Sequence, residues 1–581
     1  MIHQTRLRFL LPVILLFSLS ASSQTIDSMI NIYGTRFPQE KIYVHFDKSY
    51  YNAGETIWFK AYLMSGAVLS DISRNMYFEL ADDAGNMISR KVAPILGSSA
   101  AAAFDIPPVY TKQLLHFRAY TTWMLNFDTA FLYEKAIHIV SAPAVKSAPG
   151  TNTTSLRFFP EGGDLVAGAE SVLAFKATDR YSRPVSIKGT IWNKSGKKVA
   201  DFATVHYGMG TLAFTPARGE TYTAKWKDAT GKEQTTPIPA AKENGIVMSL
   251  TANQDSTLFT LRKGAADSGQ AKRLVIIAHM NQEIVYQARV NFSAASSMVK
   301  GSIATSSLPS GVLQVTLFDE ENKPLQERIV FVNNNEYIFD AYLNTAEKKL
   351  AKRGKNVLQV EVPDTMRANL SISVTDAAVN VTDENEDNIY SHFLMSSELR
   401  GYIHNAGYYF SSYADSVRRQ LDLVMLTNGW RRFKWEDLAQ GKLPGIKYMP
   451  EDYLSINGTI TGVNPSGLAG KQLNMFIELK DSTKKFLTAT VTKEGRFSLP
   501  GVLFYDTAKI MYQFNNDKTL ADRVAIRMDN GLLKNPSLGI PAASGGLVVL
   551  QDSVVAKNKQ IAEKYVELEG DRNKKAKLLQ A

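Results

Sequence analysis

The sequence predicts a mostly β protein built from serial β-sandwich modules, with a short helical insert and a helical C-terminal tail. Three observations carry this. Runs of alternating apolar and polar residues, bounded by turn-forming residues, recur along most of the chain, which favours serial sandwiches over a β-α-β fold. At 581 residues the chain is far too long for one hydrophobic core and calls for roughly four or five domains of about 100 residues. Hydrophobic residues at 45% against 21% charged supply those cores and argue against wholesale disorder or a multi-span membrane protein.

Residues 1–23 read as a secretory signal peptide. Arg6 and Arg8 precede the apolar run 9–17, and the small residues Ser20, Ala21, Ser22 and Ser23 follow it, with cleavage expected after Ser23. The run is too short to span a bilayer comfortably. An exported chain without cysteine has no disulfides, no thiol chemistry and no cysteine for a lipoprotein anchor. The modules must therefore be held by burial and strand pairing. The net charge of +10 is read as a diffuse solvated excess, since the basic residues do not gather into arms, and no nucleic-acid partner is expected.

The first module, 37–140, opens with KIYVHFDKSYYNAGETIWFKAYL. Ile42, Val44 and Phe46 share one side of its first run. In the second run Ile57, Phe59, Ala61 and Leu63 share a face and Thr56, Trp58, Lys60 and Tyr62 the other, the period of a half-buried strand. Asn52 and Gly54 supply turn chemistry between the runs. The Ala-, Pro-, Ser- and Gly-rich stretch 141–154 is a linker. The second module, 155–227, carries FFPEGGDL near its start, and Val185, Ile187, Gly189 and Ile191 fall on one face. The third, 243–333, has Leu313, Val315 and Leu317 on one strand face and a turn at Asn322-Lys323-Pro324. A fourth β module covers 336–376, where Leu358, Val360 and Val362, then Leu370, Ile372 and Val374, repeat the alternation. Units of this size suggest an array of beads.

The period then changes. Over 396–438 Val417, Leu421 and Val424 or Met425 take helical spacing, so this is a helical insert. A last sandwich, 453–530, follows, and the lysine- and glutamate-rich tail 553–581 is read as helical with few anchors.

No catalytic constellation stands out. G-x-S-x-G and H-E-x-x-H are absent, and the eight histidines lie at wide spacings. NPSGLAGK, 464–471, has Pro465 where a phosphate-binding loop needs glycine, and Gln472 follows its lysine where Ser or Thr is required. Asp82-Asp83 with Asn86, and Asp383-Glu384-Glu386-Asp387, offer carboxylates for calcium, but neither has the spacing of an EF-hand loop. The first reads as a hairpin turn and the second as an acidic loop. No catalytic residue, cofactor or metal ligand is assigned, and the chain is expected not to be an enzyme. Tyr402, Tyr408, Tyr409, Phe410 and Tyr413, followed by Trp430, Arg431, Arg432 and Trp435, have two readings. They form a platform for sugar or peptide, with Tyr408, Tyr409, Trp430, Arg431, Arg432 and Trp435 as partner-binding residues, or they pin the insert to neighbouring sandwiches.

The 41–63 string closely resembles the second macroglobulin (MG2) domain of α2-macroglobulin-like envelope proteins of Bacteroidetes. The 155–227 block resembles the macroglobulin-type module that follows it there. SSELRGYIHNAGYYF and LVMLTNGWRRFKW look like the same family. INGTITG, FIELKD and TATVTKEGRFSLPGV resemble a carboxypeptidase-regulatory-like domain, which carries no peptidase chemistry. The resemblance implies serial macroglobulin/Ig-like sandwiches and loosely an association with endopeptidase inhibition. Without cysteine the thioester trap of α2-macroglobulins cannot operate. Longer relatives continue into a TonB-dependent-receptor plug near where this chain stops, so the expectation is a fragment or a plugless member. The functional reading is a non-catalytic exported protein of the periplasm or outer-membrane surface that binds an envelope protein or polysaccharide. The alternatives are an extension of a TonB-dependent outer-membrane transport system, docking on its barrel, or a thioester-independent endopeptidase inhibitor that binds a protease.

Overall fold

The computed structural model describes residues 26–140, 153–529, 533 and 553–567, except 229, 352, 363–367, 382, 430–431, 480–481, 504–507, 516–517, 562 and 565–566. The leader 1–23, most of the linker, Trp430, Arg431 and the end of the tail lie outside these residues. The described chain is mostly β, organised as serial sandwiches with few helices.

In the first sandwich, Thr56–Ser65 sits centrally in one sheet, with Glu40–Phe46 on one side and Ser99–Asp105 on the other. The facing sheet runs Tyr50–Tyr51, Tyr133–Ile139, Leu114–Tyr120, Asn75–Asp82, Met87–Pro94. The alternation in Thr56–Ser65 does what its period demands. Ile57, Phe59, Ala61 and Leu63 are buried, while Trp58 is 61% exposed. Phe59 meets Phe78 at 4.8 Å and Phe117 at 4.9 Å, both edge-on, which is the favoured arrangement of ring quadrupoles.

The second sandwich pairs a three-stranded with a four-stranded sheet. It extends past 227, because Glu233–Pro237 adds to Tyr222–Lys227. Gly189 is needed for close approach, since a Cβ there would lie 2.6 Å from both the Lys225 carbonyl and the Phe202 ring. The third sandwich, from Ile246–Ala252 to Pro324–Val332, has the same three-plus-four build. The last packs Arg496–Leu499, Ile456–Thr461 and Ala525–Asp529 on Lys484–Thr490, Gln472–Leu479 and Ala508–Phe514.

Three features differ from the sequence reading. Among its described residues the stretch 336–376 holds one hairpin, Tyr342–Glu347 with Val357–Glu361, and no second layer. Leu370, Ile372 and Val374 are exposed and belong to no strand, since no described residue pairs with them in a ladder. A helix, Ile26–Arg36, precedes the first sandwich. It buries Ile26, Met29, Ile30 and Tyr33 against Trp123, Ile277, Phe318 and Trp435. Finally, the modules do not form a line of separate beads. The insert, with helices Ile389–Leu394, Asp415–Thr427 and Trp435–Ala439, packs Leu399, Tyr409, Leu421 and Val424 against Met209 of the second sandwich and Ile329 and Phe331 of the third.

Ion pairs complete these joints. Arg328 of the third sandwich reaches Glu161 of the second at 3.1 Å and Asp422 of the insert at 2.7 Å. Lys41 of the first sandwich and Arg432 of the insert meet Glu398 at 2.5 and 2.7 Å, all three side chains buried. Burial opposes ionisation of Glu398, but Arg432 and Lys41 outweigh it and hold its carboxyl down to about 2. The tail is not free of anchors. Val554 packs on Tyr50 and Val140, and Asn558 donates to the Val379 carbonyl at 3.0 Å.

Candidate functional site

Of the aromatic and basic residues singled out in the insert, Tyr408, Tyr409, Arg432 and Trp435 fall into two separate joints and make contacts within the chain, whereas Tyr413 is exposed. Tyr408 and Tyr409 lie on the turn Ala406–Phe410 against the second sandwich. Tyr409 is buried, and the Tyr408 hydroxyl donates to Gln420 Oε1 at 2.6 Å while its ring stacks on His206. Arg432 donates to Glu398, to Gln39 Oε1 at 2.9 Å and to the Ser397 carbonyl at 2.7 Å. Trp435 is buried on Phe318 and donates from Nε1 to Thr316 Oγ1 at 3.0 Å. Tyr409, Arg432 and Trp435 are buried in interdomain packing, and Tyr408 is half-buried there. Trp430 and Arg431 lie outside the described residues.

The two acidic strings are also engaged. Asp82 closes its hairpin by accepting from the Ala84 and Asn86 amides at 2.9 and 2.8 Å, and it pairs with Lys112 at 2.7 Å. Asp387 accepts from Ser391 at 2.6 Å and Ser396 at 2.7 Å and pairs with His392 at 2.8 Å.

The candidate site lies elsewhere, in a cleft of about 1800 Å³ between the first and last sandwiches. One wall is the outward face of Thr56–Ser65, with Thr56, Trp58 and Lys60. Beside it runs Ser99–Asp105, whose Ala101, Ala102, Ala103 and Asp105 line the cleft. Beyond the Leu96–Ser99 bridge at its start, that strand has Thr56–Ser65 as its one strand partner among the described residues, and no described strand pairs with its other edge. The opposite wall comes from Asn457–Thr459, Arg496–Ser498 and Arg527–Asp529.

Named bonds fix this geometry. The Tyr77 hydroxyl donates to Glu451 at 2.8 Å, Asn75 Nδ2 to the Asp452 carbonyl at 2.8 Å, and the Tyr453 hydroxyl to the Ile95 carbonyl at 3.1 Å. Burial raises the Glu451 carboxyl above its ordinary value, with Tyr77 and Asn75 acting against the rise. Along the floor the segment around Ser371 is strapped to the first sandwich. Tyr62 donates to Ser371 Oγ at 2.8 Å, Lys60 to the Leu370 carbonyl at 2.9 Å, and Asn369 Nδ2 to Ser99 Oγ at 2.8 Å.

Charge in the cleft is mixed, with Lys60, Lys91, Arg90, Arg496 and Arg527 against Asp47, Asp105 and Asp529. Two of these carboxylates have structural work. Asp47 accepts from the Tyr51 hydroxyl at 2.6 Å and the Trp58 amide at 3.0 Å, and Asp105 accepts from Thr56 Oγ1 at 2.7 Å. The arrangement offers an open strand edge, an exposed indole and flanking cations, which are means of recognition. The one local signal for it in the sequence is an aromatic residue, Trp58, on the polar face of an alternating strand.

No family model matches the chain, and no curated protein matches it. Among solved structures it is similar to dimeric latent PorU from Porphyromonas gingivalis, at 12% identity over 51% of this chain and 34% of that one, with a TM-score of 0.26. It is similar to Escherichia coli alpha-2-macroglobulin activated by porcine elastase, at 10% identity over 84% of this chain and 43% of that one, TM-score 0.21. It is also similar to Salmonella alpha-2-macroglobulin reacted with methylamine, at 9% identity over 85% and 38%, TM-score 0.16. The chain thus spans less than half the length of each of these structures, and overlaps this weak assign no family and no residue role.

Proposed function

We propose that this chain is an exported, non-catalytic, macroglobulin-like binding protein of the cell envelope whose cleft takes an extended segment of a partner protein. The leader-like residues 1–23 support export, and the resemblance of the 41–63 and 155–227 strings to envelope macroglobulin proteins supports the location. One observation carries the binding reading. Trp58, 61% exposed, lines a cleft of about 1800 Å³ together with Ala101, Ala102, Ala103 and Asp105 of Ser99–Asp105, whose outer edge no described strand pairs with past Ser99. A strand added to that edge gains main-chain hydrogen bonds, and its alternate side chains meet Trp58 and the opposite wall.

The test is capture of partners from the native envelope by the chain and by Trp58→Ala. That side chain makes little of the core, so the variant keeps its stability within about 0.5 kcal/mol. The expected result is one enriched envelope protein that cross-links within Ser99–Asp105 and is lost with Trp58→Ala. Equal capture by both chains, or a cross-link confined to other surfaces, refutes the assignment. Reproducible hydrolase turnover abolished by a point change refutes the non-catalytic reading.

A further inference from the structure

The hairpin Tyr342–Glu347 with Val357–Glu361 stands apart from every core. Its register puts Leu343 opposite Val360 and Thr345 opposite Leu358, so one face is apolar, while Asn344, Gln359 and Glu361 share the other. Among the described residues no sandwich layer covers that apolar face, and an isolated two-stranded sheet is only marginally stable in water. The connecting turn reads EKKLAKRGK, five cations to one carboxylate. Glu347 pairs with Lys349 at 2.8 Å and Lys355 at 3.4 Å. Lys348 and Arg353 are exposed and make no ion pair among the described residues. Leu350 stands among them, 87% exposed. Part of the charge excess that the sequence suggested to be diffuse is therefore concentrated on one projecting tip.

We infer that this hairpin docks on an anionic lipid surface, with Leu350 entering the acyl boundary and Lys348, Lys349, Arg353 and Lys355 meeting headgroup phosphates. An apolar apex within a cationic collar has the polarity order of a bilayer interface. A protein partner is the poorer match, because the cores of protein interfaces are depleted in lysine and this tip is rich in it. The inference does not depend on the cleft.

The experiment is flotation of the chain from Gln24 onward, which contains every described residue, with vesicles of phosphatidylcholine alone or mixed with phosphatidylglycerol. The expected result is binding to the mixed vesicles only, weakened by added salt. Lys348→Ala, Lys349→Ala and Arg353→Ala combined lower it on the order of a hundredfold, at about fivefold per cation. Leu350→Ala lowers it about fivefold to tenfold. All these positions are exposed, so an unchanged thermal midpoint verifies the fold of each variant. Equal binding to both vesicle types, or binding indifferent to the substitutions, overturns the inference. Absence of vesicle binding together with tip-dependent retention on an acidic protein overturns it as well and assigns the tip to a protein.

Discussion

Replacing Glu398 by glutamine keeps its shape and removes the one anion between two buried cations. The magnitude follows from the joint itself. The carboxyl is held from the ordinary 4.5 down to about 2, and that gap, at 1.36 kcal/mol per decade, is about 3 kcal/mol. Breaking a buried ion pair by removing one partner costs about 3–5 kcal/mol, in agreement. At neutral pH, amide exchange in Asp415–Thr427 and in Glu40–Phe46 should therefore quicken on the order of a hundredfold in Glu398→Gln. The pH arm has a definite sign. A carboxyl with a depressed folded value adds stability that is fully present above 4.5 and is lost as pH falls through about 2. In urea unfolding, the stability gap between the two chains should be constant above pH 4.5 and close as pH falls towards 2. A gap below about 1 kcal/mol at neutral pH, or one that does not narrow in acid, refutes the reasoning.

Further outcomes can be checked separately. Gly162 has a φ of +81° and a Cβ there would collide with Gln326, so Gly162→Ala should cost about 1–3 kcal/mol in thermal unfolding at the junction of the second and third sandwiches. Asn388 caps Ile389–Leu394 by accepting from the Tyr390 and Ser391 amides at 3.0 and 3.1 Å, so Asn388→Ala should cost about 1 kcal/mol, read as faster exchange in that helix. Tyr77→Phe leaves Glu451 without its hydroxyl partner and should loosen the last sandwich by about 1–2 kcal/mol, seen as faster proteolysis between residues 440 and 453.

Local pattern predicted the elements whose cause is local. Thr56–Ser65 and Asp415–Thr427 are legible because their periods alone separate buried from exposed positions. The helix Ile26–Arg36 carries the same kind of signal, apolar residues at 26, 29, 30 and 33, but one short amphipathic stretch ahead of the strand-rich module at Phe37 does not say which distant surface it covers. Around Leu370, alternation misleads. A period of two states which side chains share a face, but it does not supply a strand to pair with. The cleft is not legible at all, since it joins Ala102 to Met528, and no local pattern encodes that proximity. The insert shows why chemistry cannot be read from residue type. Arginine and tryptophan serve ligands and domain joints through the same hydrogen bonds, and only their burial in the joints distinguishes the two uses.

The Arg432 joint also has a temporal consequence. Gln39 and Arg432 are separated by 393 positions, so a chain emerging N-terminus first completes its first sandwich long before the guanidinium that locks it exists. Lys41 has no counter-ion at that spot until Glu398 emerges, and the apolar stripe of Ile26–Arg36 has nothing from the insert to cover it until Trp435 and Leu438 follow. The nascent protein therefore passes through a stage in which the helix Ile26–Arg36 keeps an uncovered apolar stripe, closed when the late segment arrives.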